Sequence, residues 1–271
     1  MPDQTSAASR RPVLTALQRE QFLETGMAHI PALIPKTVTD AMADRLWETL
    51  ARQHRIDRRR PQTWTVARPT KLQDLKRSGA FDVMDCPELR AVLDDVFDGR
   101  GWITPKHWGQ ALVTFREDQT PWTVPSVAWH VDLIDQAVLT PWPHYVRLFV
   151  LLAPVEPGGG GTVYLAGSHR LVMRLMAQAS TPDEIRCNPL REALKRQDPW
   201  ITELCTGRGE GRIERFMQLG AEIGGLPLRV AETVGGAGDL FIMHPAMLHA
   251  AAPTARPEPR LVVAETIVAR G

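Results

Sequence analysis

Three side chains in this sequence have the types and spacing of a metal centre. In Ala128-Trp129-His130-Val131-Asp132-Leu133, an imidazole and a carboxylate stand two residues apart. On a strand, residues i and i+2 project from one face, so one small cation can touch both. Far downstream, Met247-Leu248-His249 offers a second imidazole. Two histidines and one carboxylate on a single face leave the other coordination positions open, an arrangement suited to non-haem iron(II). Those open positions would accept a chelating 2-oxo acid and O2. An HxD pair also arises by chance and is often structural. Arg260 adds weight to the metal reading, because it opens an expected strand eleven residues after His249. A guanidinium held away from the metal can grip the far carboxylate of 2-oxoglutarate. As an ordinary surface or ion-pair arginine it would do nothing of the kind.

Other histidines compete less well. His244 precedes Pro245 and stands sixteen positions before Arg260, so spacing and ligand geometry favour His249. His169 follows a glycine turn and is expected to brace it, while His29, His54, His107 and His144 have no partner at ligand spacing. Gly158 to Gly161 is not followed by Lys-Ser or Lys-Thr, and Ser168 lacks the GxSxG elbow. Neither a phosphate cradle nor a hydrolase nucleophile is therefore supported.

The elements that must position the triad are mainly β. Short apolar runs broken by Pro and Gly predict strands at 110–115, 127–131, 145–152, 162–165, 228–233, 240–243 and 261–268. Helical spacing predicts helices over 14–25, 36–52 and 87–97, with a short strand at 28–30. Helical periodicity returns between Leu171 and Gly225, with 186–195 and 212–222 as candidates, so helices interrupt a β unit. Many short strands with turn signals indicate a sandwich or barrel, not alternating βαβ units. Residues 1–13 are expected to be disordered, and 14–271 to form a single domain with a helical insertion at about 171–225. Trp102, Trp108, Trp122, Trp129 and Trp142 are expected to cluster around the strand carrying His130, mostly as packing.

Composition narrows the function classes. The 271 residues carry 32 Lys plus Arg against 31 Asp plus Glu, a net charge of +1, so no overall field favours nucleic acid or an anionic membrane. Cys86, Cys187 and Cys205 are far apart and form no CxxC pair, which argues against a disulfide framework and a thiolate zinc site. No signal peptide is visible, and the apolar run 148–155 is far short of the ~20 residues a spanning helix needs. A soluble, cytoplasmic protein is the expectation.

The sequence resembles the phytanoyl-CoA dioxygenase family of iron(II)/2-oxoglutarate oxygenases over nearly its whole length. The resemblance rests on Trp129-His130-Val131-Asp132-Leu133, on Gly160-Gly161-Thr162 with Ala166-Gly167-Ser168-His169, and on Gly238-Asp239-Leu240 leading to Leu248-His249 and Arg260. It implies a double-stranded β-helix core of jelly-roll or cupin type with helices outside. It also implies iron held by His130, Asp132 and His249, and oxidation of a substrate C–H by O2 with release of succinate and CO2. By the same resemblance, Lys71 reaches the cosubstrate, Gln110 and Thr114 make polar contacts to it, and Phe149 lines its pocket. The bland alternatives are a solvated lysine, strand alternation and a core phenylalanine. The chain departs from its relatives at Ala251, where many carry a hydroxyl two residues after the distal histidine. Arg260 then needs another partner, for which Gln110 and Lys71 are candidates. Retention of Asp132 favours hydroxylation over halogenation, with desaturation or ring formation still open.

Substrate identity is expected to lie in the helical insertion, whose basic and acidic residues balance and argue for no acidic or CoA-linked substrate. A small metabolite or natural-product intermediate is the expected partner, with no statement on oligomeric state. A metal-binding β-barrel without catalysis, serving as sensor or scaffold, is the reading from another class; Arg260 and Lys71 pointing away from the metal would favour it. A zinc hydrolase would require a general base that the sequence does not offer.

Overall fold

The computed structural model describes residues 13–117, 121–132 and 144–270. Thr15 starts the first helix, α1 (Ala16–Thr25), through a capping box with Gln18, and Gly26 ends it in the left-handed conformation (φ 82°). The chain enters β1 (Met27–Ile30) and then α2 (Lys36–His54), whose apolar stripe of Met42, Leu46, Trp47 and Leu50 is buried. A short helix, α3 (Gln73–Arg77), precedes α4 (Pro87–Val96), which buries Leu89, Val92, Leu93 and Val96. The strands β2 (Trp102–Ile103), β3 (Gln110–Thr114), β4 (Tyr145–Leu151) and β5 (Thr162–Ala166) follow.

Three helices, α5 (Ser168–Gln178), α6 (Cys187–Gln197) and α7 (Pro199–Thr206), come next. The periodicity over 212–222 predicts one more helix; the chain coils over 212–219, as a π-helix over Glu214–Leu219. Gly220 (φ 69°) stops it, and Ala221–Ile223 becomes strand β6. The remaining strands are β7 (Leu226–Glu232), β8 (Leu240–Met243), β9 (His249–Ala251) and β10 (Arg260–Ala269).

Every ladder is antiparallel. The larger sheet runs β1-β8-β4-β10-β2, with β3 also paired to β10, and the smaller runs β6-β7-β5-β9. β10 is the spine of the larger sheet: β4 pairs along one side, β3 and then β2 along the other. One face of that sheet packs Val146, Leu148, Val150 and Val263 against α2 and α4. Its other face contributes Phe149, Leu151, Val262 and Ala264 to a small interior cluster that Tyr164 of the smaller sheet also meets. A third cluster joins the smaller sheet to α5, α6 and α7. Helices thus cover both outer faces, and β4 and β10 are buried over most of their length.

The glycine turn 158–161 is filled by the chain itself. The Glu232 carboxylate accepts the amides of Gly158 and Gly161, both at 2.9 Å, so no external phosphate is called for. Burial pushes the Glu232 carboxyl above its ordinary range, and these amides oppose that push.

Candidate functional site

His130 does not lie on the strand predicted for 127–131. It makes one isolated bridge to His249, with reciprocal backbone hydrogen bonds of 2.9 Å, and Ala128 just before it is left-handed (φ 62°). Asp132 is held by its amide, which donates to the Pro245 carbonyl at 3.2 Å. The i, i+2 side chains still converge because the segment is pinned at one position to His249 of β9 and at the other to Pro245 of the β8–β9 connection. The ring Nδ1 of His130 faces the Ala128 carbonyl (2.8 Å), and that of His249 faces the Met247 carbonyl (3.0 Å). A carbonyl can only accept, so each Nδ1 carries the proton and each Nε2 presents a lone pair.

Those two Nε2 atoms flank the Asp132 carboxylate, each 3.6 Å from one of its oxygens. One ligand atom from each of the three residues lies within 4.8 Å of the others, room for a single ion. Burial opposes ionisation of Asp132, but its neighbours His249, Arg147 and His130 outweigh that and hold the carboxyl down at about 2. Burial, and then the neighbouring His249, lower the pKa of His130. A charged carboxylate beside a neutral imidazole is the donor state a divalent cation needs.

The triad lines a cavity of about 370 Å³, within the range of small-ligand sites. Lys71, Gln110, Thr114, Phe149 and Arg260 line the same cavity. Thr114 lies across the ladder from Arg260, and Gln110 shares its face of β3. Phe149 is both wall and core, at 4% exposure. Lys71 is exposed and left-handed (φ 62°), on the strap 68–73 that closes one side.

Arg260 is 4% exposed; burial, then the charge of Arg68, depress its guanidinium to about 10, with Glu232 partly opposing. Its Nη2 donates to the Thr162 hydroxyl at 2.8 Å, and its buried Nε has no hydrogen-bond partner. Neither Gln110 nor Lys71 makes the expected contact to it. Thr162 lies directly opposite Ala251 in the β5–β9 ladder, so the hydroxyl absent at Ala251 arrives from the neighbouring strand.

No protein-family model matches the chain, and no curated protein sequence does. Solved structures do. HygX from Streptomyces hygroscopicus, determined with nickel and 2-oxoglutarate bound, aligns over 95% of this chain and 88% of its own at 17% identity, TM-score 0.53. AviO1 from Streptomyces viridochromogenes Tue57 aligns over 94% and 96% at 16% identity, TM-score 0.52. SnoK, a non-haem α-ketoglutarate-dependent carbocyclase from nogalamycin biosynthesis, aligns over 95% and 85% at 15% identity, TM-score 0.54. The chain has the fold of non-haem iron, 2-oxoglutarate-dependent enzymes. At these identities the likeness is one of fold.

Sequence reasoning missed Arg68, Arg147 and Thr162, all of which line the cavity. Arg147 was visible as the lone charge inside the apolar strand β4, and a charge there is informative. Its Nη1 donates to Thr266 across the ladder (2.8 Å), and its Nε stands 3.5 Å from Asp132. No described residue of the helical insertion lines the cavity, so the walls that meet a substrate there come from the strap and the strands. The tryptophans do not cluster around His130 either: Trp102 and Trp108 pair in the helix-side core, and Trp129 and Trp122 belong to the core of the smaller sheet. Trp142 and Leu133 lie outside the described residues.

His169 braces α1, its Nε2 meeting the Leu23 carbonyl at 3.1 Å, and packs against His244 with ring centroids 4.9 Å apart. Both are buried away from the triad cavity. His29 and His107 serve structural contacts to Asp239 (2.7 Å) and Asp82 (3.1 Å).

Proposed function

We propose that this chain is an iron(II)- and 2-oxoglutarate-dependent dioxygenase of the phytanoyl-CoA dioxygenase type, folded as one double-stranded β-helix domain over 14–271. It hydroxylates an unactivated C–H of a small metabolite or natural-product intermediate, with release of succinate and CO2. One observation carries the reading: the His130, Asp132 and His249 ligand atoms and a fully buried arginine with an orphaned Nε line one cavity. A buried, unsatisfied guanidinium is costly unless an anion completes it, and the far carboxylate of 2-oxoglutarate is such an anion.

Iron with 2-oxoglutarate and O2 would supply the oxidising chemistry. His130 and His249 would hold the iron through Nε2, and Asp132 would add a negative charge. Thr162 orients Arg260, and Thr114 borders it on β3. Phe149 would add an apolar wall beside the cosubstrate, and Gln110 and Lys71, which line the same cavity, would offer it polar contacts.

A non-catalytic metal barrel would need no anion seat, and both Arg260 and Lys71 line the metal's own cavity. A hydrolytic zinc site would need a second carboxylate as base, yet Asp132 is the one carboxylate among the described lining residues. Glu232 and Glu265 are engaged elsewhere, with the glycine turn and with Lys76 at 2.7 Å. Cys86, Cys187 and Cys205 are free thiols, and a cytoplasmic location is part of the proposal. No described helix is long and apolar enough to cross a membrane.

The test is anaerobic addition of iron(II) and 2-oxoglutarate, followed by the visible charge-transfer band of the chelate. The band should form in the wild type, vanish in His130→Ala and Asp132→Ala, and weaken in Arg260→Ala. Bound iron without a band refutes the oxygenase reading in favour of the non-catalytic barrel.

A further inference from the structure

The charge on the cavity wall exceeds what metal and cosubstrate use. Arg68, Lys71, Arg147 and Arg260 line it against a single carboxylate among the described residues, that of Asp132. The described wall residues therefore hold three positive charges in excess, in a chain whose net charge is only +1. A ferrous ion and 2-oxoglutarate, doubly charged with opposite signs, cancel each other and leave that excess unchanged. Water-poor concave sites focus such charge onto whatever binds there.

Two of the four cations have no task in the cosubstrate site. Arg260 and Lys71 are accounted for by the far carboxylate and its flank. Arg68 has no ion pair or hydrogen bond to any described residue, and its charge bears on Arg260. Two guanidiniums facing one cavity repel each other until an anion sits between or beside them. Arg147 is fixed through Thr266, while its buried Nε lacks a hydrogen-bond partner. Its nearest carboxylate among the described residues is Asp132, 3.5 Å away and committed to the metal. An orphaned, buried charged donor beside the reaction centre, with a second cation at the strap, is a seat for a second anion.

Resting on the oxygenase reading above, we infer that the substrate carries an oxyanion group, a carboxylate or a phosphate ester, and that Arg68 and Arg147 hold it next to the metal. The balanced charge of the helical insertion is then irrelevant to selectivity, because the strap 68–73 and β4 do the selecting. Anchoring at Arg147 also fixes which substrate carbon faces the metal.

The test uses methyl phosphate as an anionic probe and trimethyl phosphate as its neutral counterpart, with the anaerobic iron(II)·2-oxoglutarate protein. High-spin iron(II) is paramagnetic, so a phosphorus nucleus seated near it relaxes faster. Methyl phosphate should show saturable 31P relaxation enhancement with the chelate band intact, and trimethyl phosphate none. Arg68→Gln, a change at an exposed side chain, should weaken the probe about tenfold, the loss of one charge-assisted contact. Arg256→Gln, which removes the same charge from a different surface depression, should leave it unchanged. Equal relaxation of both probes, equal losses in both variants, or bleaching of the band by methyl phosphate would each overturn the inference. Bleaching would mean the anion merely takes the cosubstrate's seat. Absence of the band before any probe is added would instead be a failure of the oxygenase reading.

Discussion

Replacing Thr162 by Val tests the anchor without touching either charge. Valine keeps the shape and β propensity of threonine in β5 and removes only the hydroxyl that meets Arg260 Nη2 at 2.8 Å. Hydrogen bonds to charged groups are worth about 1.5–3 kcal/mol, and this one is buried on both sides. Its loss leaves two guanidinium nitrogens unsatisfied instead of one. For a chain of this size, thermal unfolding should drop by roughly 3–12 °C. At about 1.4 kcal/mol per decade, affinity for 2-oxoglutarate should fall about tenfold or more. Titration of the chelate band gives the affinity, and urea unfolding of the apoprotein gives the stability. Thr162→Ser should recover most of both. Ala251→Ser in the Thr162→Val background should also recover affinity, because Ala251 faces Thr162 across the ladder and lines the same cavity. Unchanged stability together with unchanged cosubstrate affinity in Thr162→Val would refute the assignment of Thr162 as the orienting partner.

Acid should unfold the protein through the buried imidazoles of His169 and His244, which burial pushes down to about 4 and about 3. Their folded values lie below the unfolded one, so the unfolded chain binds protons first. Stability is then complete above about 6.5 and lost as pH falls towards 4 and 3, by roughly 2 kcal/mol per histidine at pH 5. Urea midpoints at pH 7.5 and 5 measure this, and a flat profile, or one unaltered in His244→Gln, rejects it. Gly109→Ala should destabilise by more than about 2 kcal/mol, since a Cβ there would lie 2.4 Å from Val263 Cγ1 at φ 78°. Gly99→Ala, at φ 72° with nothing within 4 Å, should cost only about 1 kcal/mol in the same assay. Burial pushes the Cys205 thiol up to about 11, so iodoacetamide at pH 8 should modify it only after denaturant is added. Modification in the native protein would show that this core opens.

The metal ligands and the arginine were legible because their chemistry demands particular residue types, whatever local structure carries them. His130 and Asp132 converge although the expected strand collapses to one bridge, since long-range hydrogen bonds to His249 and Pro245 replace the ladder. Such partners are invisible in a local window. The alternation of Gln110 and Thr114 on one face was readable because β3 has five residues, long enough for a period of two. The three residues of β9 are not. Thr162 was overlooked because its role depends on register: only the pairing of β5 with β9 shows that it substitutes for a hydroxyl two residues past His249. Arg147 and Arg68 became meaningful only once β4 and the strap were seen to share a wall.

The reciprocal backbone bonds between His130 and His249 have a consequence for the apoprotein. Two ligands 119 positions apart in the chain are spaced by peptide groups, not by the ion they would hold. Peptide zinc fingers acquire their shape on metallation, and chelators dissolve it. Here the scaffold of the site exists beforehand, so loading and stripping should be reversible additions to a folded molecule. The width of the seat is then dictated by strand spacing, which leaves the protein little freedom to resize itself for a different ion.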